Sequence, residues 1–162
     1  LKPLAELTKL QYLQLDRNRI ASLEGLAGLE NLRALYLEGN EIESIQPLAG
    51  LAKLRSLHLG GNKVSDLSPL SGLRWLSTLG LKGNQVRDLA PVAGLTELHF
   101  TFLEGNPLQD LSVLVDMARK DIEGEQRFAP YWFLYLDFDA LPEPARKQAE
   151  ELKQLGVRVN VR

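Results

Sequence analysis

Two stretches of this chain set aromatic rings at alternate positions: HFTFLEGN at residues 99–106 and YWFLYLDF at 131–138. Alternation by two puts such rings on one face of an extended strand, where flat apolar surfaces can be offered to a partner. Eight of the eleven aromatic residues fall between positions 100 and 138, so this surface is concentrated. The other groups with chemical potential are sparse. The only histidines are His58 and His99. No acid, serine or second histidine is expected beside either of them in a triad or metal set. Cysteine is absent, which excludes a disulfide framework, a thiolate nucleophile and a thiolate metal site. The LGGN and LKGN glycines lack the spacing of a phosphate-cradling loop. A net charge of −2 gives no global pull toward nucleic acid, and the pair Arg33 and Arg55 is too small for a basic stripe. No apolar run approaches the roughly 20 residues that span a bilayer. These residues point to a binding surface, with no catalytic site, no cofactor, no nucleic-acid partner and no membrane insertion expected.

The elements that hold the rings follow from an internal repeat. Asn18, Asn40, Asn62, Asn84 and Asn106 recur every 22 residues, each within a frame such as LRALYLEGNEI or LRSLHLGGNKV. Between the frames run LEGLAGL, IQPLAGL, LSPLSGL and LAPVAGL. A fixed period of this size means a solenoid, because one turn cannot bury its own leucines and stacked turns can. In LxLxx the leucines face the core and the x residues face outward. The inward set of one turn is Leu54, Leu57, Leu59, Val64, Leu67, Leu70 and Leu73. Pro47, Pro69 and Pro91 stand where short helical turns begin, and the glycines Gly50, Gly72 and Gly94 keep those turns short. The asparagine amides are expected to bond backbone groups of their own and the adjacent turn. Gly39, Gly61, Gly83 and Gly105 serve the bend out of the strand.

The frame LxxLxLxxNxI, in five copies over residues 1–117, resembles the leucine-rich repeat family. Its 22-residue period is similar to the subclass found in bacterial internalins and in the leucine-rich regulatory subunit of a eukaryotic protein phosphatase. The resemblance implies an α/β right-handed horseshoe solenoid, with a parallel concave sheet, short 3-10 turns on the convex side and a C-terminal helical cap. It also implies protein recognition through the concave face. Only another protein is implied as partner, of no particular identity.

The division expected is one domain over 1–162: regular repeats at 1–117, an extended irregular repeat at 118–141 and a helix-and-strand cap at 142–162. Leu1, Leu4, Leu7 and Leu10 match Leu67, Leu70, Leu73 and Leu76, so the first turn begins in mid-repeat without a polar cap. That favours a fragment of something longer. The next frame comes 33 residues after Asn106, eleven more than the period, with Tyr131, Leu134, Leu136 and Asp139 at the inward and asparagine positions. The extra length holds Leu111, Leu114, Val115 and Ala118 at helical spacing, with Asp110 as N-cap. PEPARKQAEELKQLG reads as a second helix, with Ala145, Ala149, Leu152 and Leu155 on one face and Gly156 at its C-cap. VRVNV reads as a last strand, with Arg162 a natural end.

On this frame the outward columns are Tyr12, Ala34, Ser56, Thr78, Phe100, Phe133; Gln14, Tyr36, His58, Gly80, Phe102, Tyr135; Asp16, Glu38, Gly60, Lys82, Glu104, Asp137; and Gln11, Arg33, Arg55, Ser77, His99, Trp132. The partner-binding candidates are Tyr12, Tyr36, His58, Phe100, Phe102, Phe133 and Tyr135. Three other readings of the ring cluster stay open. The rings can serve cross-strand packing alone, EGEQRFAP can fold over them, or a one-residue slip can turn Phe100 and Phe102 inward and Thr101 outward. Trp75 replaces exposed residue types and is a second contact candidate, or a ring lying on the sheet edge. The competing functional reading is a structural or regulatory segment of a larger protein, as in Roco proteins or at a cell surface.

Overall fold

The structure, a computed structural model, describes residues 1–124 and 128–160. Seven short parallel strands form one sheet in sequence order. They are β1 (Tyr12–Gln14), β2 (Ala34–Tyr36), β3 (Ser56–His58), β4 (Thr78–Gly80), β5 (Phe100–Phe102), β6 (Phe133–Tyr135) and β7 (Arg158–Val159). Neighbouring strands pair without a slip, so Leu13, Leu35, Leu57, Leu79, Thr101 and Leu134 form one inward row. Each regular turn returns through a 3-10 segment. Three of these, Gln46–Leu48, Ser68–Leu70 and Ala90–Val92, carry proline in their first turn, where its missing N–H costs nothing. The leucines between these segments and the strands make one continuous buried core, and all seven residues of the inward set predicted for the central turn lie in it.

The asparagine ladder closes each bend. Asn62 Nδ2 donates to the carbonyls of Leu59 and Leu37, both at 2.9 Å, and its Oδ1 accepts the Ile42 N–H at 3.0 Å. Asn40, Asn84 and Asn106 repeat the pattern, while Asn18 bonds only carbonyls of its own turn. The glycines before the four later asparagines hold φ between +66° and +69°, a region closed to most side chains. Arg17 takes the same bend at φ 55° in the first turn. At the N-terminal end Leu1, Leu4, Leu10, Leu13, Leu15 and Ile20 are only partly buried, and Leu7 is 48% exposed.

The C-terminal end is built differently. Helix α1 (Ser112–Glu123) replaces a 3-10 segment and buries Leu114, Val115, Met117 and Ala118, so it runs across position 117. The cap position belongs to Leu111, not to Asp110 as the sequence suggested. Asp110 still serves that helix end from one residue upstream, its Oδ1 accepting the Ser112 N–H at 2.9 Å. Helix α2 (Glu143–Gln154) buries Ala145, Ala149 and Leu152. Its C-cap is Leu155, and Gly156 follows at φ +91°. Gln148 of α2 completes the start of α1: Oε1 accepts the Leu111 N–H and Nε2 donates to Asp110 Oδ1, each at 2.7 Å. Strand β7 then pairs with β6, while Val161 and Arg162 lie outside the described residues.

Three frame positions in the delayed repeat differ from the sequence reading. Trp132, expected to face outward, is 0% exposed, and Tyr131, expected inside, is 56% exposed. Tyr131 ends the 3-10 segment Ala129–Tyr131, and that turn brings the next residue inward instead. Asp139 does not take the asparagine position; it is exposed in the 3-10 segment Phe138–Ala140. The amide of that turn comes from Asn160, which exchanges hydrogen bonds of 2.8 Å with the N–H and carbonyl of Leu136.

Candidate functional site

Strand alternation carries the outward columns onto the concave face, and the unbroken register stacks them repeat upon repeat. Three ring pairs result. Tyr36 stacks on His58 at 4.8 Å between centroids, Phe100 on Phe133 at 5.1 Å, and Phe102 on Tyr135 at 4.7 Å. These distances are one strand spacing, so the backbone ladder itself sets the stacking. Six of the seven candidate residues therefore meet in pairs. Tyr12 stands apart, 68% exposed, because its neighbour in register is Ala34, which is buried.

Phe100, Phe102, Phe133 and Tyr135 form one group on β5 and β6, in which Phe100 is the most exposed at 39% while the other three are half-buried. The slipped alternative is excluded: Thr101 is 3% exposed and pairs with Leu79 and Leu134. The loop alternative turns on EGEQRFAP, of which residues 125–127 lie outside the described residues. Phe128 is buried against Trp132 at 4.7 Å.

The inward threonine has a specific role here. The Trp132 indole N–H, buried with its ring, donates to Thr101 Oγ1 at 2.8 Å. A leucine at 101 would fill this space and leave that donor without an acceptor. Thr101 is the one departure visible in the repeat, where Trp132 reads as an outward residue.

Two neighbours of the rings were not anticipated. The Arg158 guanidinium lies over the Phe133 ring at 4.9 Å, closing the C-terminal side of that stack. Only the addition of β7 beside β6 brings it there. His58 also has company that the sequence did not suggest. Its Nε2 is 3.1 Å from Ser56 Oγ, and its Nδ1 is 3.5 Å from Glu38 Oε1. A two-residue step on β3 puts serine and histidine on one face, and the 22-residue register brings the glutamate alongside. The Ser56 N–H donates to Arg33 O at 3.0 Å and the Leu59 N–H to Gly80 O at 2.7 Å, so the strand amides are engaged in the sheet.

Along the next column Asp16 Oδ1 accepts the Glu38 N–H at 2.7 Å and Asp137 Oδ2 the Gly105 N–H at 2.6 Å. Glu104 differs: its Oε2 is sealed from solvent with no hydrogen-bond partner among the described residues. Trp75 is 60% exposed on the side of the solenoid, beside a shallow depression lined by Ser71, Arg74, Gly94 and Thr96. Among the described residues no group of three or more His, Cys, Asp or Glu could hold a metal ion, and no helix is long and apolar enough to cross a membrane.

A single parallel sheet built by a 22-residue turn, with an asparagine ladder and a helical closing segment, defines a leucine-rich repeat solenoid. The family model for leucine-rich repeats in two copies matches residues 8–50, 30–72 and 52–94. The chain belongs to the leucine-rich repeat family. Its structure is similar to an internalin C2 from Listeria monocytogenes, with 39% identity, a TM-score of 0.71 and coverage of 72% of this chain and 52% of that one. It is also similar to the internalin inlF from the same organism, at 25% identity, a TM-score of 0.83 and coverage of 100% and 44%. A leucine-rich repeat protein of Leptospira interrogans shares the fold at 22% identity, a TM-score of 0.77 and coverage of 99% and 45%. The chain spans about half the length of these solved structures. A search of the curated proteins found no match.

Proposed function

We propose that this chain recognises another protein through its concave face, with Phe100, Phe102, Phe133 and Tyr135 as the anchor and Tyr12, Tyr36 and His58 as outlying contacts. Leucine-rich repeat domains are in general protein-interaction scaffolds. What supports the finer reading is one observation: four rings stand in two parallel stacks on the concave side of β5 and β6, with the outer ring of one stack open to solvent. Rigid aromatic side chains of this kind dominate interface energetics because they bury area at small entropic cost. We assign no catalysis to the chain. Its role as a repeat segment of a larger protein is compatible with the same surface.

The test is a double substitution, Phe102→Ala with Tyr135→Ala. Capture of a partner from cell lysate should be lost while the melting temperature falls by only a few degrees. Retained capture together with a large drop in melting temperature would show that the rings serve packing instead.

A further inference from the structure

Acidic and basic side chains meet across the turns of this solenoid. Glu38 Oε1 lies 3.5 Å from His58 Nδ1, Glu43 Oε1 3.8 Å from Lys63 Nζ, and Glu104 Oε1 3.9 Å from Lys82 Nζ, each pair on neighbouring turns. One column departs from this pattern. It runs along the entry side of the sheet as Gln11, Arg33, Arg55, Ser77 and His99, and it sets arginine beside arginine. The backbone fixes them there. The Arg33 N–H donates to Gln11 O at 2.7 Å, and the Arg55 N–H donates to Arg33 O at 2.8 Å. The two arginines therefore stand one strand spacing apart, about 4.8 Å.

Both are exposed, and neither guanidinium has an ion-pair or hydrogen-bond partner among the described residues. Like charges placed side by side on a sheet repel. Their other neighbours in the column, Gln11 and Ser77, are uncharged and offset nothing. Two residues upstream in the same frames stand Lys9, Asn31 and Lys53. Lys9 and Lys53 are exposed, and Lys53 Nζ donates to the amide oxygen of Asn31 at 2.7 Å, not to a carboxylate. The entry side of three successive turns thus gathers Lys9, Arg33, Lys53 and Arg55 in a chain whose net charge is −2.

From this unpaired, like-charged column we propose that the entry side of the concave sheet over Arg33 and Arg55 receives an acidic segment of the partner protein, its carboxylates held by the two guanidinium groups. This rests on the reading of the concave face as the recognition surface. A guanidinium presents a planar fork of donors that matches both oxygens of a carboxylate, so the two arginines would hold the segment and the lysines would add attraction at the rim. The column leads on through Ser77 to His99, the residue before Phe100. An acidic segment over Arg55 is therefore about two strand spacings, roughly 9.6 Å, from the ring group, and one partner can span both. Cations confined to three turns fall short of the broad stripe that a phosphate backbone needs, which favours an acidic peptide over nucleic acid.

The experiment is an NMR titration of the folded protein at constant ionic strength with blocked tetraglutamate, blocked tetralysine and a single-stranded oligothymidylate. Tetraglutamate should shift the amide signals of Arg33, Ala34, Arg55 and Ser56 saturably, and tetralysine should leave them in place. Arg33→Gln with Arg55→Gln should weaken tetraglutamate binding at least tenfold without lowering the melting temperature, because the substitutions remove a repulsion. Lys63→Gln with Lys147→Gln removes the same number of positive charges at lysines paired elsewhere, and should leave binding unchanged. Absent shifts, unaltered binding in the arginine variant or an equal loss in the lysine variant each overturns the assignment. Tighter binding of oligothymidylate would make the patch a nucleic-acid contact, and shifts that follow protein concentration alone would make it a contact between copies; both results also overturn it. If capture is nevertheless lost in the Phe102→Ala, Tyr135→Ala protein, only the acidic segment falls. Retained capture there removes the recognition surface itself.

Discussion

Thr101 is a buried hydroxyl in a row of leucines, and its stabilising role comes from one hydrogen bond to the Trp132 indole. Replacing it with valine keeps the shape and removes the acceptor. The stranded N–H should cost about 1–3 kcal/mol. Thr101→Leu, the residue the repeat would dictate, should cost more, because it adds about 1–3 kcal/mol of overpacking against the ring. Urea unfolding midpoints check both, and a leucine variant as stable as the parent would remove this account. The repeat made the position legible as inward facing. It could not show why threonine stands there, because the donor arrives from a residue 31 positions away. The exchange of Tyr131 for Trp132 has the same origin: a 3-10 turn ending at 131 shifts which residue points inward.

Helices α1 and α2 show how an element's end is shared with its neighbour. Hydrogen bonds from the Ser112 hydroxyl, the Ser112 N–H and Gln148 hold the Asp110 carboxyl below its ordinary value. A carboxylate depressed in the folded state contributes stability above its unfolded value, near 3.9, and loses it as pH falls through the folded value. Asp110→Asn should therefore lower the melting temperature at neutral pH. The gap from the parent should shrink below about pH 4, where the unfolded carboxyl takes up its proton. Melting scans from pH 2 to pH 7 test this, and a gap independent of pH would contradict it. Helical spacing in DLSVLVDMA and the alanine face of PEPARKQAEELKQ made both helices readable. The clasp from Gln148 to Leu111 and Asp110 was not, since the two segments meet only when the helices pack.

As a whole, the molecule is a linear stack in which each turn is held by its neighbours, so protection should vary along it. The turns around Asn62 and Asn84 have a full asparagine bond set and fully buried leucines. The first turn has partly buried leucines and an Asn18 that reaches no neighbouring turn. Amide hydrogen exchange should be slowest in residues 54–86 and faster by orders of magnitude in residues 10–20, following the local opening free energy. Equal protection at the two places would mean a single cooperative unit instead. By itself the sequence determined the solenoid, the inward leucines, the asparagine ladder and the columns that hold Phe100, Phe102, Phe133 and Tyr135, because period and alternation are local and repeated. Only the tertiary structure decided the Thr101–Trp132 bond, the Arg158 contact over Phe133 and the unpaired Glu104 oxygen. Each of these depends on residues that become neighbours through stacking, at separations where a single chain carries no spacing rule.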